Sequence, residues 1–136
     1  MRKILFALGC ALVIAIAGTG IYLYNKPPRN PANETGIPVT AQELFSKFTS
    51  NETQANQAYL NKVVQVSGQV LEVKNTNNAG KVVVLNTGDP MFGVACTLSK
   101  ADAPVKPVQP GEKITIKGIC TGYLSDVVLT NSYLIN

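Results

Sequence analysis

The sequence predicts a mainly β fold: a small five-stranded barrel preceded by a short helical pair and an N-terminal transmembrane helix. Three observations predict it. Residues 4–24 run for 21 positions without a charge behind Arg2 and Lys3. The apolar period changes from helical to two near Lys62. Five strand-like segments come next, two of them long and interrupted by glycine, with an extended connection after the third.

The first segment, ILFALGCALVIAIAGTGIYLY, is long enough to span a hydrocarbon core of about 30 Å as a helix. Arg2 and Lys3 favour a cytoplasmic N-terminus, and Tyr22 and Tyr24 suit the far interface, although Lys26 and Arg29 reduce the charge asymmetry. Residues 1–25 are therefore read as an uncleaved signal anchor. Two other readings stay open. Ala15-Ile16-Ala17 fits a cleavage site, which would remove residues 1–17, and Ala7-Leu8-Gly9-Cys10 loosely fits a lipidation motif. All three readings export the rest of the chain.

Residues 26–38, with three prolines between Lys26 and Pro31 and a fourth at Pro38, read as an extended tether. Residues 39–136 form one small domain. The chain carries a net charge of +4, but this domain holds eight Lys, no Arg and seven carboxylates, a balance of +1. That is no cationic footprint for nucleic acid. His and Trp are absent from the whole chain, which excludes histidine acid–base catalysis and His-ligated metal.

Within the domain, Thr40-Ala41-Gln42-Glu43 is a capping box that starts a helix with Leu44, Phe45 and Phe48 on its apolar stripe. A second short helix over 52–59 turns Ala55, Ala58 and Tyr59 inward. From Lys62 onward, Val64, Val66 and Val70 alternate with Gln65, Ser67 and Gln69. Leu71 and Val73 change phase after the Gly68 region, as in a bulged, coiled strand. Residues 75–80 (NTNNAG) form a turn cluster. KVVVL at 81–85 and the run 92–98 supply the second and third strands, and residues 99–110 an irregular crossover. The segment 113–123, broken by Gly118 and Gly122, is the fourth strand, and 127–134 the fifth. This count and spacing describe an OB-fold barrel better than an SH3-like one, because the break falls after strand three.

The runs YLNKVVQVSGQVLEV, GVACTL and PGEKITIKGICTGYLSDVVLTN resemble the tRNA-anticodon-binding-like (tRNA_anti-like) OB-fold family of bacterial envelope proteins. The resemblance covers roughly residues 41–134. It implies a domain in the cell envelope, held at the membrane and facing away from the cytoplasm. It supplies no catalytic residues to carry over, and the name of the family records a fold similarity rather than a tRNA activity.

Cys96 and Cys120 share the phase of Val94, Leu98, Ile114 and Ile116, so both are expected on core faces. They are either buried free thiols or, given export, a disulfide between neighbouring strands. Asp89 and Asp126 are the carboxylates beside the expected binding face, and ordinary turn roles explain both. No base is placed to activate Ser125 or Thr121, and no ligand cluster suits a metal or cofactor. The sequence thus describes a non-catalytic binding or assembly module. OB barrels bind ligands on strands two and three and on the loops joining strands one to two and four to five. Those positions nominate Asn75, Asn77, Asn78, Phe92, Tyr123, Ser125 and Asp126. The amides suit peptide backbone or sugar hydroxyls, so a protein, peptide or glycan partner is expected beside the membrane itself. Single-stranded nucleic acid is the alternative that an OB barrel raises, but it is disfavoured by the missing Arg and the scarcity of exposed rings.

Overall fold

The computed structural model describes residues 1–25, 29–77, 80–99 and 107–135. Helix α1 (Arg2–Tyr24) is apolar on all faces and buries none of its side chains. Its 23 residues reach about 35 Å at 1.5 Å per residue, enough to cross a membrane. A 3-10 turn at Pro31–Asn33 leads to strand β1 (Ile37–Thr40), then α2 (Ala41–Ser50) and α3 (Glu52–Tyr59). Five strands complete the chain: β2 (Val63–Thr76), β3 (Gly80–Leu85), β4 (Val94–Leu98), β5 (Lys113–Tyr123) and β6 (Val127–Leu134).

The order β2-β3-β4-β6-β5, closed by pairing of β2 with β5, is the expected five-stranded OB barrel. β4 and β6 run parallel, and the other four barrel pairings are antiparallel. Strand β2 makes closure possible because its residues 63–69 pair with β5 and its residues 70–76 with β3. Between the two sets lies a bulge at Leu71, where the register slips from Val70 to Glu72. The sequence placed Leu71 inward with Val73. Val73 does pack on the core, but Leu71 is 43% exposed, because the extra residue of a bulge is left unpaired and turned out.

The helices cap the barrel. Thr40 Oγ1 accepts from Glu43 N at 3.2 Å, as the capping box requires, while the Glu43 carboxylate lies 3.3 Å from Lys47 Nζ. Ala41 sits so close to Gly68 that a methyl group there would lie 3.0 Å from its Cβ, which lets α2 rest directly on β2. Phe48 stacks on Tyr123 at 5.8 Å between centroids and meets Tyr59 at 6.2 Å; Phe45 meets Tyr123 edge-on at 6.2 Å. Asn51 caps α3 by accepting from Gln54 N at 3.1 Å. Ala55 and Tyr59 are buried, one turn apart, whereas Ala58, expected inward, is exposed beside this narrow stripe.

One irregularity re-aims β6. Pairing with both β4 and β5 shifts by one residue near Asn131, which has φ 48°. The inward positions therefore run Val127, Leu129 and then Ser132. Ser132 lodges against Gly118, where any side chain would collide with its Oγ, and that buried Oγ has no protein partner among the described residues.

The tether expected over residues 26–38 is folded onto the barrel from Arg29 onward. Arg29 donates to the Asn61 carbonyl and forms a two-pronged pair with Glu34, at 2.6 Å and 2.5 Å. Pro31 is buried and its turn packs on β5 and β6. Val63 and Ile119 face each other across β2 and β5 in the outward phase, yet are only 3% and 7% exposed. With the Pro31–Asn33 turn packed on β5 and Arg29 bound at Asn61, two residues before Val63, we assign their cover to this strap of chain, and β1 then adds to β2 in parallel, from Ile37 opposite Val64 to Thr40 opposite Ser67. The domain boundary expected at Val39 thus falls inside a strand. The hydrogen bonds from Arg29 hold the Glu34 carboxyl below the usual carboxylate range. That contribution is present above the unfolded pKa and is lost as pH falls through the folded one.

A fragment starting at Arg29 is expected to melt well above one starting at Val39. Uncovering Val63 and Ile119 removes about 1.5–3 kcal/mol each. A loss of at least about 3 kcal/mol lowers the midpoint by roughly 12 °C or more in a domain of this size. Thermal melts followed by circular dichroism check this, and equal midpoints would mean that the strap does not support the fold.

Candidate functional site

Among the nominated residues that are described, Asn75, Asn77 and Ser125 are exposed, whereas Asp126, Phe92 and Tyr123 make contacts within the fold. Asn75 and Asn77 are exposed at the tip of the β2–β3 hairpin, and Asn78 lies outside the described residues. Ser125 is exposed in the β5–β6 turn. Asp126 instead accepts from Gly93 N at 2.7 Å through Oδ1, while Val127 N donates to Gly93 O at 3.1 Å, so the turn is tied to the loop before β4. Asp89 accepts from Met91 N at 2.8 Å and Phe92 N at 2.9 Å, the ordinary turn role. Tyr123 is held in the aromatic cap and Phe92 packs against the core, so neither ring is presented outward as a platform. The physical reason is the same for both. Each ring buries more apolar area by packing on the core than it would by standing exposed to a ligand.

The outer face of the central strands is also without rings. Val82 opposes Thr97, and Val84 opposes Ala95, which in turn opposes Val128. These are aliphatic or hydroxyl side chains, and nearby Lys74 is paired with Glu72 at 2.9 Å. Glu72 holds the Lys74 ammonium above the usual lysine range, with a smaller contribution from Asp126.

A concave site lies elsewhere, where β2 and β5 meet the start of α2. It is a groove of about 510 Å³, lined by the Thr40–Gln42 corner, by Ser67 and Gln69 of β2, by Asn86 after β3, and by Lys113 and Thr115 of β5. Its volume falls within the range of small-molecule pockets. The alternation of β2 and β5 builds it: Ser67 and Gln69 are out of phase with Val66 and Val70, and Thr115 with Ile114 and Ile116. Ser67 Oγ and Thr115 Oγ1 are 3.3 Å apart, and Gln69 Nε2 donates to Gly111 O at 3.0 Å. Those bonds orient the side chains and leave acceptor capacity on both hydroxyls and on the Gln69 oxygen. With one lysine, no carboxylate and no ring in its lining, the groove suits an uncharged, hydrogen-bonding ligand.

Sequence reasoning missed this groove. The polar phase of β2 and β5 was visible, but the strand that lies beside it, β1, was assigned to the tether. A signal existed in Ile37-Pro38-Val39-Thr40, whose β-branched residues precede the cap.

The cysteines are on core faces as their phase predicted, each 0% exposed, but they are not bridged. Cys96 and Cys120 both lie opposite Leu129, because β6 runs between β4 and β5. Two strand spacings of about 4.8 Å separate the Cα atoms by on the order of 9 Å, beyond the roughly 7 Å limit for a disulfide. Burial pushes the Cys96 thiol up to about 12 and raises that of Cys120 as well. Among the described residues, no group of three or more His, Cys, Asp or Glu is placed to hold a metal ion.

The tRNA_anti-like family model matches residues 1–134. A protein of Klebsiella pneumoniae subsp. pneumoniae MGH 78578, provisionally described as a nucleic acid-binding lipoprotein, superposes with a TM-score of 0.56 at 21% identity. The match covers 81% of this chain and 100% of that one, and it shows the shared fold. The yeast Stn1 and Ten1 structure aligns with a TM-score of 0.47 at 12% identity, over 80% of this chain and 68% of that one. No curated protein matches the chain.

Unfolding the protein without reductant and alkylating it is expected to modify both Cys96 and Cys120, as read by mass spectrometry. In the native state both are expected to react far more slowly than an exposed thiol, since the thiolate is the nucleophile and burial disfavours it. A mass two units lower, resistant to alkylation, would mean a bridge and therefore a different strand order.

Proposed function

The chain belongs to the tRNA_anti-like family, and we propose that it is a membrane-anchored, extracytoplasmic OB module that binds a neutral polar chain, peptide or glycan, without catalysing a reaction. The carrying observation is the groove of hydroxyls and amides between β2, β5 and α2, with Lys113 as its one charged lining residue. Side chains of this kind, held in place by their own hydrogen bonds, pair with peptide amides or sugar hydroxyls without burying an unpaired charge. Arg2 and Lys3 at the start of α1 support an orientation with the barrel outside the cytoplasm.

The nucleic-acid reading has the provisional description of the Klebsiella neighbour in its favour. Against it stands the surface chemistry: stacking platforms and a cationic track are what single strands require. Here Phe45, Phe48, Tyr59 and Tyr123 are engaged in the cap.

The test is a titration of the full-length chain in detergent, read by amide NMR. An uncharged N-acetylglucosamine oligosaccharide or an end-blocked oligopeptide of neutral polar residues is expected to shift the signals of Ser67, Gln69 and Thr115. Ser67→Ala with Thr115→Val is expected to weaken binding by about threefold to tenfold per lost hydrogen bond, from the usual 0.5–1.5 kcal/mol each. Shifts confined to other surfaces, or stronger binding of a single-stranded oligonucleotide, would overturn the reading.

A further inference from the structure

We infer that the barrel does not swing free of the membrane: its end carrying Leu60 and Leu124 rests on the outer leaflet of the bilayer that α1 crosses. The inference rests on the proposed anchor and adds an orientation to it. Its first support is chain length. α1 is capped at Asn25, and Arg29 is already fixed to the barrel through the Asn61 carbonyl and Glu34. Four residue steps span at most about 14 Å. With roughly 7 Å for the Arg29 side chain added, the membrane exit and the barrel surface at Asn61 lie within about 21 Å of each other, less than the thickness of one hydrocarbon core.

The second support is the surface around Asn61. Its N–H donates to Cys120 O at 2.8 Å, and Leu60 Cδ1 approaches to 3.8 Å from where a side chain on Gly122 would begin. Two residues further on, Leu124 is 89% exposed at the tip of the β5–β6 turn. Asp126 ties that turn to Gly93, and two residues before Gly93 stands Met91, 76% exposed. The carboxylates beside these tips, Asp89 and Asp126, are turned onto backbone amides, so the large outward side chains, Leu124 and Met91, are apolar, and Ser125 is the exposed hydroxyl beside them. Isolated exposed leucines are common. Exposed Leu124 and Met91 at the tips of two loops tied to each other, on the end that a four-step link holds near the lipid, match the interfacial region of a bilayer. A protein partner would have to enter the same narrow gap.

The chain has no Trp, so a single introduced one is a clean reporter. Leu124→Trp and Met91→Trp in the full-length protein, reconstituted in phosphatidylcholine–phosphatidylglycerol vesicles, are expected to show blue-shifted emission. Lipids brominated on the acyl chain are expected to quench it at least twofold. Lys81→Trp, on the exposed start of β3 at the opposite end of that strand, is expected to stay unquenched. If the protein floats with the vesicles but the Leu124→Trp and Met91→Trp reporters are no better quenched than Lys81→Trp, the resting contact is wrong and the anchor stands. If the protein does not float with them, both the contact and the anchor are wrong.

Discussion

Every other feature of the barrel depends on one strand being shared between two partners. β2 is 14 residues long, pairs with β5 along its first half and with β3 along its second, and changes sides at the Leu71 bulge. A straight strand of that length would leave an open sheet with two exposed edges. The bulge adds local twist and bends the strand so that the sheet meets itself. Val64, Val66 and Val70 then point into the same interior as Val83, Leu85 and Leu129.

Closure leaves a gap beside the first half of β2, since β3 reaches back only as far as Val70. β1 fills that gap, and its outer edge carries Pro38, which has no N–H to offer another strand. The same chain segment supplies the strap over Val63 and Ile119, and runs on through Thr40 into α2. Strap, edge strand and helical cap are consecutive, so residues 29–40 are structural rather than a spacer. The groove results from this arrangement, because its walls are the outward phase of β2 and β5 and its end is the corner where β1 becomes α2.

The open ends of the barrel decide the fate of the rings. An OB barrel that bound bases would leave aromatics on its outer strands. Here four of the rings close an end under the helices, and the outer face of β3 and β4 carries Val, Ala and Thr. The carboxylates nearest that face, Asp89 and Asp126, satisfy the amides of the loop before β4. Both carboxylates are thereby taken up by backbone amides, and Met91 and Leu124 stand exposed at the loop tips.

The sequence by itself determined the apolar N-terminal span, the Thr40 cap, the five strands and the inward phase of Cys96 and Cys120. Each of these is written in local spacing: an uncharged run, a hydroxyl three residues before a carboxylate, a period of two. Only the tertiary structure decided that β6 separates the two cysteines, that Leu71 and not Gly68 carries the bulge, and that residues from Arg29 onward strap the barrel. It also decided that Tyr123 and Phe92 serve packing instead of presentation. Periodicity says which face of a segment is apolar. It does not say which distant segment will cover that face, because register and cover are set by non-local pairing, whose partners lie as far apart in the chain as Ile37 and Val64 or Val63 and Ile119.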